Sequence, residues 1–235
     1  TVNMEALKRQ SPALVTHIIP APVPARARWQ LHLWQEGDPG RARAEAFIRA
    51  RFQDSYAADV RVFMPWLLGI TDRNNDLTAV VGFRPATSEQ LFLENYLDQS
   101  AEQSIHDATG NPVSRNQIVE VGNLASSNTE SVRTLMIALV TLLDRLPEAR
   151  WMMCTVGERL IRLLRRTRFF PLTLNQAEQQ RLSPHNGDWG SYYQNVRQVV
   201  AGNIAYGMRE LRRQEIWRQE LADRIDCILQ DKPVI

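Results

Sequence analysis

Cysteine, lysine and long apolar runs are scarce in this sequence of 235 residues. The two cysteines, Cys154 and Cys227, are too few for a disulfide framework or a cysteine metal cluster, and the four histidines lack the spacing of metal ligands. No run approaches the roughly 20 apolar residues that cross a bilayer, and the opening residues do not resemble a signal peptide. We therefore expect a cytoplasmic protein with no metal, no permanently bound cofactor and no transmembrane segment.

The charge is almost balanced, at a formal net charge of +2. Arginine supplies nearly all of the basic side chains, because Lys8 and Lys232 are the only lysines. General binding to a polyanion needs a clear surplus of positive charge on the chain or on one of its faces. We therefore expect no nucleic-acid partner.

The chain divides by composition into three segments. Residues 1–28 predict an N-terminal arm, because Ala21–Arg28 holds two prolines and no glycine. The composition predicts one domain over residues 29–202. Residues 203–235 predict a C-terminal helical extension, in which Asn203–Gln230 forms one amphipathic helix. A helix of that length can leave the domain and meet a partner, such as a second copy of the chain in a dimer.

Apolar residues at period two predict strands, and those at a period near 3.6 predict helices. The predicted strands are Trp29–Trp34, Trp66–Thr71, Leu77–Phe83, Ile118–Leu124, Trp151–Val156 and a short Phe169–Leu174. The predicted helices are Arg41–Tyr56, Val132–Leu146 with Thr129 or Ser131 as N-cap, Gly157–Thr167 and a short Gln176–Leu182. The second and third strands form a hairpin, and a helix joins two strands that are expected to be parallel. The pattern predicts an α/β fold with a mixed, mostly antiparallel sheet and one parallel crossover pair.

A carboxylate interrupts the apolar pattern of the strand predicted over Ile118–Leu124. Gln117–Ser126 reads QIVEVGNLAS, which places Glu120 and Asn123 in an otherwise apolar run. Burying an unpaired charge is very costly. Glu120 must therefore be paired, neutral or functional.

Five stretches together resemble the thermostable hemolysin family in order and spacing. They are YAADVRVFMPWLL, VVGFRPA, LFLENYLD, IVEVGNLAS and WGSYY, and the resemblance extends from about Arg41 to Ile204. That family resembles the GNAT-type N-acyltransferases and, more closely, the acyl-homoserine-lactone synthases, which move an acyl chain from acyl carrier protein to an amine. The resemblance implies a GNAT-like N-acyltransferase. Its donor would be an acyl-carrier-protein or CoA thioester, and its acceptor a small amine or amino acid.

The loop after the central strand departs from the GNAT pattern. GNAT acetyltransferases usually have a glycine-rich turn there, whose N–H groups hold the pyrophosphate of CoA at a helix N-terminus. Here the loop is SSNTES, without glycine and with an acidic side chain. We expect Ser126 and Ser127, with Arg159 and Arg162 from the next helix, to contact the donor. The alternative for these arginines is a solvated helix face.

The resemblance makes Glu120 the candidate base. Amide formation from a thioester needs a neutral amine, a stabilised oxyanion and a stabilised leaving thiolate. Glu120 would take the amine proton, directly or through a water; the alternative is an ion pair with Arg84. Arg84 in turn either clamps an acceptor carboxylate or orders the hairpin in that ion pair.

Five further side chains are candidates for binding the acceptor or the acyl chain. Glu94 would recognise the acceptor ammonium, or it is a solvent-facing charge. Asn123 would bind the acceptor, or it holds the shape of its strand. Trp189, Tyr192 and Tyr193 would wall an acyl channel, with a phenol as general acid, or they are core residues.

Two functions compete with the N-acyltransferase. The first is a membrane-active hemolysin-type protein, in which the C-terminal amphipathic helix would lie on a bilayer. The second is a non-catalytic binding protein on the same fold, which the missing glycine turn leaves open.

Overall fold

The computed structural model describes residues 29–87, 89–166, 168–214 and 218–232. The predicted N-terminal arm, residues 1–28, lies outside the described residues. Within the described ranges, each helix is too short or too polar to span a membrane. The strands are β1 Trp29–Trp34, β2 Trp66–Asp72, β3 Leu77–Pro85, β4 Ile118–Ser126, β5 Trp151–Gly157, β6 Leu172–Gln176 and β7 Arg197–Asn203. The helices are α1 Arg41–Tyr56, α2 Ala101–Thr109, α3 Thr129–Leu143, α4 Glu158–Arg166, α5 Ile204–Arg213 and α6 Gln219–Gln230.

All seven strands form one mixed sheet in the order β1-β2-β3-β4-β5-β7-β6. The pair β4 and β5 is parallel, and the other neighbours are antiparallel. The predicted fold class, the hairpin of β2 and β3 and the parallel crossover through α3 are thereby confirmed.

The parallel pair separates halfway along its length. Pairing joins Ile118–Val121 to Trp151–Cys154 and goes no further. Beyond that point β4 stays on β3 as far as Ser126, and β5 stays on β7 as far as Gly157. The sheet is therefore open in its middle, between the carboxyl ends of β4 and β5.

An irregularity in β4 accompanies this separation. The register of β3 and β4 shifts between Val80 and Gly82, and Asn123 has a left-handed backbone with φ of 51°. A bulge of this kind bends a strand and increases its twist. The bend thus occurs where β4 leaves β5.

The core lies on both faces of the sheet. On one face α3 buries Leu135, Leu139 and Leu142, and side chains of α5 and α6 join the same cluster. On the other face α1 packs through Ile48 and Phe52, and α2 belongs to a neighbouring cluster. Helix α3 begins three residues before its predicted start. Its N-cap is Asn128, whose Oδ1 accepts from the N–H of Ser131 at 2.8 Å, so the predicted caps Thr129 and Ser131 were wrong.

The prediction was poorest for the last third of the chain. Strand β7 was missed, although it lies between β5 and β6 and pairs with both. The short helix predicted over Gln176–Leu182 was wrong, because Gln176 ends β6 and only a 3₁₀ turn forms at Gln179–Arg181. Sheet pairing on two sides thus outweighs local sequence preference in this region.

The single helix predicted over Asn203–Gln230 is two helices. Helix α5 ends at Arg213 and α6 begins at Gln219, with residues 215–217 outside the described part of the chain. Helix α6 buries Leu221 and Ile225 in the main core, and Arg224 lies over the ring of Trp29 at 4.7 Å. Much of the apolar side of α6 is therefore covered by its own chain, and a dimer through this helix stays a prediction.

Candidate active site

The separation of β4 and β5 opens a cleft of about 2010 Å³. Its walls come from the carboxyl ends of both strands, the end of α1, residues 59–65, residues 186–197 and the starts of α3 and α4. Several chain segments distant in sequence thus meet at one break in the sheet. Such a break is where a ligand can reach backbone and side chains together.

A side-chain amide on β4 binds the segment that precedes β2. The side-chain Oδ1 of Asn123 accepts from the N–H of Met64 at 2.8 Å. The Met64 side chain lies over Gly82 and Gly122, which face each other in β3 and β4, and a Cβ on either glycine would come within 2.8 Å of it. Arg41 donates to the Met64 and Pro65 carbonyls at 2.9 and 2.7 Å. Asn123 therefore has the shape-holding contacts that the sequence offered as its alternative role.

Glu120 is buried, with 2% of its surface exposed, and it is ion-paired. Its Oε2 accepts from Arg84 Nε at 2.7 Å and from the N–H of Phe92 at 3.3 Å, while Oε1 accepts from the N–H of Leu93 at 2.8 Å. Arg84 also donates to the Gln90 carbonyl at 3.3 Å. The structure thus shows the ion pair between Glu120 and Arg84. Both residues also line the cleft.

Glu94 lies outside the residues that line the cleft, in a buried polar cluster of its own. Arg115 binds both of its oxygens, at 2.8 and 3.0 Å, and the N–H groups of Leu91 and Ala101 donate to them at 2.7 and 2.8 Å. Burial raises the pKa of Glu94, but the hydrogen bonds from Arg115 and the two N–H groups outweigh it, so the pKa lies below its ordinary value. The carboxylate is buried, so the solvent-facing alternative is wrong, while recognition of an acceptor ammonium by Glu94 stays a prediction. Its contacts hold the 3₁₀ helix Phe92–Tyr96 against α2.

The WGSYY segment docks on the end of α1 through its backbone. Gly190 has φ of 49°, and a Cβ there would come within 2.1 Å of the Tyr56 carbonyl oxygen. The same oxygen accepts from the N–H of Ser191 at 2.7 Å. Only glycine allows this approach, and the contact brings Trp189 and Tyr192 against Phe52 of α1.

The structure brings Trp189, Tyr192 and Tyr193 together along one wall of the cleft. Their rings contact one another, with centroids 4.9 to 6.0 Å apart, and the Tyr193 hydroxyl is hydrogen-bonded to that of Tyr96. Burial raises the pKa of Tyr193 to about 12 and also raises those of Tyr96 and Tyr192. All three phenols are therefore protonated near neutral pH, and each can donate a hydrogen bond.

The sequence-based prediction missed Arg197, the first residue of β7. Its Nε donates to the Tyr192 carbonyl at 2.9 Å, and its guanidinium lies over the rings of Tyr192 and Tyr56 at 4.1 and 5.3 Å. It lines the cleft and lies opposite Gly157 of β5. The available signal was the short apolar centre of RQVVAGN, with an arginine before it; because the strand was not predicted, the arginine was not considered.

The four residues expected to contact the donor meet at one end of the cleft. The Ser127 hydroxyl donates to the Thr78 carbonyl at 3.2 Å, and the Ser126 hydroxyl lies 2.6 Å from the Asn128 carbonyl and 3.2 Å from that of Thr78, so both hydroxyls hold the local chain in place. Arg159 donates to the Thr129 hydroxyl at 3.3 Å, which puts a cation beside the N-terminus of α3. Arg162 is exposed and pairs with Glu158 at 2.6 Å.

Two other chemistries have little support in the described residues. Burial raises the pKa of the Cys154 thiol to about 12, so it is a protonated core residue near neutral pH. In the described part of the chain, no group of three or more histidine, cysteine or acidic side chains is arranged to hold a metal ion.

One family model matches this chain, and solved structures share its fold. The family model for thermostable hemolysin matches residues 34–208. The acyl-homoserine-lactone synthase LasI is 10% identical and covers 75% of this chain and 90% of its own, with a TM-score of 0.50. FeeM, an N-acyl amino acid synthase from uncultured soil microbes, is 10% identical over 75% of this chain and 92% of its own, with a TM-score of 0.49. No curated protein sequence matches. The architecture is GNAT-like, as predicted, and at these identities the likeness concerns the fold alone.

Proposed function

This chain belongs to the thermostable hemolysin family, and we propose that it is an N-acyltransferase. It would move an acyl group from a thioester, carried by acyl carrier protein or by CoA, to a small amine or an amino acid. The observation that carries the proposal is the parting of β4 and β5 inside a GNAT-like sheet, beyond Val121 and Cys154.

The open strand edges suit the arm of a thioester donor. Past the last paired residues, β4 and β5 no longer pair with each other, so their facing edges carry backbone N–H and C=O groups without a strand partner across the cleft. The pantetheine arm that carries acyl groups on both donors contains two amides, which can pair with such an edge as an added strand does. The arm would then deliver its thioester to the middle of the sheet.

Glu120 is our candidate for the base. In the reaction the amine nitrogen forms a bond to the thioester carbon, the carbon–sulfur bond breaks, and the amine loses a proton. A carboxylate has about four acceptor directions, and three are used here, with only Leu93 on Oε1. The remaining direction on Oε1 would accept the proton, directly or through a water. Arg84 would hold the carboxylate in place.

A tyrosine is our candidate for stabilising the leaving sulfur. The thiolate needs a proton or a hydrogen-bond donor as it leaves. Tyr193 lines the cleft, and its raised pKa keeps its hydroxyl proton in place. Its bond to the buried Tyr96 hydroxyl orients it. Trp189 and Tyr192 would form the apolar wall beside it.

The donor end of the cleft would recognise charge. Asn128 caps the N–H of Ser131, which leaves the N–H groups of Thr129 and Glu130 without a partner in the described part of the chain. With Arg159 beside them, these groups can hold a phosphate of the donor. Arg162 lies farther along the exposed side of α4, where an acidic carrier protein could dock.

The test uses purified protein with acyl carrier protein and CoA thioesters and a panel of amines. We expect thiol release together with an N-acyl product identified by mass, and loss of both in Glu120→Gln. The exposed Glu148, which bonds Asn116, supplies the matched control Glu148→Gln, which should keep full activity. Lysis of lipid vesicles by pure protein without a donor, equal in Glu120→Gln, would instead support the membrane-active alternative. Tight ligand binding without turnover would support the non-catalytic one.

A further inference from the structure

Arg197 lies on the same face of the sheet as Glu120. Side chains alternate along a strand, so Arg197 shares a face with Val199 and Ala201, which belong to the cluster around α2. Glu120 shares its face with Ile118, a member of that same cluster. A ligand on this side of the cleft therefore has both the carboxylate and the guanidinium within its walls.

The Arg197 guanidinium is fixed at one end and free at the other. Nε is committed to the Tyr192 carbonyl, and the guanidinium lies over the rings of Tyr192 and Tyr56 at 4.1 and 5.3 Å. Its two terminal nitrogens donate to no protein acceptor in the described part of the chain. Neither nitrogen is among the buried polar atoms that lack a hydrogen-bond partner. Both are therefore accessible from the cleft that Arg197 lines. Arg84 differs, because its Nε and Nη2 are used by Glu120 and Gln90.

Gly157 supplies the space that this arrangement needs. It faces Arg197 across β5 and β7, and a Cβ on Gly157 would lie 2.2 Å from Arg197 Nη1. Its φ is not in the left-handed region, so the backbone would accept another residue. Glycine at position 157 is therefore required by the space that the Arg197 guanidinium occupies and not by the backbone conformation.

We propose that Arg197 binds the carboxylate of the acceptor, which makes the acceptor an amino acid and not a simple amine. This inference rests on the N-acyltransferase function proposed above. A guanidinium with two parallel N–H donors matches a carboxylate in geometry and charge. The donor's phosphate has a separate candidate site, at Arg159 and the start of α3. The role that the sequence suggested for Arg84 thus passes to Arg197.

The first test measures binding, so that it does not depend on turnover. Calorimetric titration of the full chain would use each of the twenty common L-amino acids as the probe. For each one that binds, the matched amine without its carboxylate is titrated next; for phenylalanine this is phenethylamine. We expect the amino acid to bind about 10- to 100-fold more tightly than its amine, the range of a charge-assisted pair. If no amino acid binds, or acid and amine bind equally, the inference is wrong.

Variants then assign the preference to Arg197. Arg197→Gln should bind acid and amine equally, and Arg197→Lys should keep only part of the preference. Arg209 also lies over a tyrosine ring, Tyr206 at 5.2 Å, but away from the cleft, so Arg209→Gln is the matched control and should bind as the parent does. A full preference for the acid in Arg197→Gln would overturn the assignment.

Gly157→Ala tests the same point without removing the arginine. The added methyl group displaces the flexible end of Arg197, so we expect a folded protein that has lost most of its preference for the acid. In turnover, Arg197→Gln should raise KM for the amino acid about 10-fold or more and leave KM for the thioester unchanged. Binding of amino acids with the expected preference but no turnover would refute the enzyme and leave the carboxylate site standing. Turnover of simple amines alone would support the enzyme and refute the carboxylate site.

Discussion

The N–H of Met64 donates to the side-chain oxygen of Asn123 at 2.8 Å, and both residues line the cleft. Asn123 makes this bond from a left-handed backbone conformation, with φ of 51°. Asparagine tolerates that conformation better than most residues with a Cβ. Asn123 therefore both adopts the backbone conformation of the bend in β4 and holds residues 59–65 in place.

Replacing Asn123 should separate these two contributions. Asn123→Ala loses the hydrogen bond and keeps a Cβ at positive φ, so we expect a loss of about 2 to 3 kcal/mol in unfolding free energy. Asn123→Gly loses the bond but relieves the backbone, and should be about 1 kcal/mol more stable than the alanine variant. Urea unfolding followed by circular dichroism measures both. A glycine variant less stable than the alanine variant would show that φ contributes no strain.

The buried pair of Glu94 and Arg115 should make stability sensitive to acid. The pKa of Glu94 lies below its ordinary value, so the folded state favours the carboxylate. Its contribution is complete above the pKa of the unfolded chain and is lost as the pH falls through the lower, folded value. Glu94→Gln should cost about 3 kcal/mol near neutral pH, since Arg115 loses the carboxylate that binds it through both oxygens and keeps only the partly exposed Glu102.

The pH dependence distinguishes this pair from its exposed neighbour. The cost of Glu94→Gln should shrink below about pH 4, where the parent protein also loses the charge. Glu102 contacts the same Arg115 nitrogen at 3.0 Å but is 30% exposed, so Glu102→Gln should cost less than about 1 kcal/mol. Chemical unfolding at a series of pH values checks both. A constant cost for Glu94→Gln across that range would contradict the linkage.

The sequence predicted the elements whose patterns are long and well bounded. Helix α1 begins and ends as predicted, and the strands β1 to β5 lie within two residues of their predicted bounds. Strand β7 has a short apolar centre, and pairing on both sides makes it a strand. The apolar residues of α5 and α6 follow one helical period. The sequence pattern therefore does not indicate that one helix ends and a second begins.

The site was predictable only where one strand carries the signal. Glu120 was identified because a carboxylate in an apolar run needs an explanation, and the paired alternative with Arg84 was confirmed. Its other partners, the N–H groups of Phe92 and Leu93, come from a turn 27 and 28 residues away and leave no trace in the local pattern. The burial of Glu94 depends in the same way on Arg115, 21 residues later.

Glu120 and Arg84 can be assigned separate roles by comparing their variants. Both changes break one ion pair, so each should lower unfolding free energy by about 2 to 4 kcal/mol. Only Glu120→Gln removes the proposed base, and kcat should fall about 100-fold or more. Arg84→Met keeps the carboxylate on its two N–H donors and should retain at least about a tenth of kcat. Steady-state rates, measured well below each variant's unfolding temperature, give the comparison. Equal losses of kcat in both variants would make Glu120 a structural residue only.

The exposed arginines of α4 should discriminate between the two donors. Arg159 and Arg162 line one end of the cleft and face solvent, where an acidic carrier protein could contact them. With an acyl-carrier-protein donor at low salt, the double change Arg159→Glu and Arg162→Glu should lower kcat/KM about 10-fold or more, with a weaker dependence on salt. Arg73, exposed in the turn between β2 and β3, gives the control Arg73→Glu, which should keep the parent rate.

With a CoA donor the double variant should lose only the contact of Arg159 with the phosphate, a smaller effect. An equal loss with both donors would mean that these arginines bind the arm that the donors share, and no loss with either would leave them as a solvated helix face.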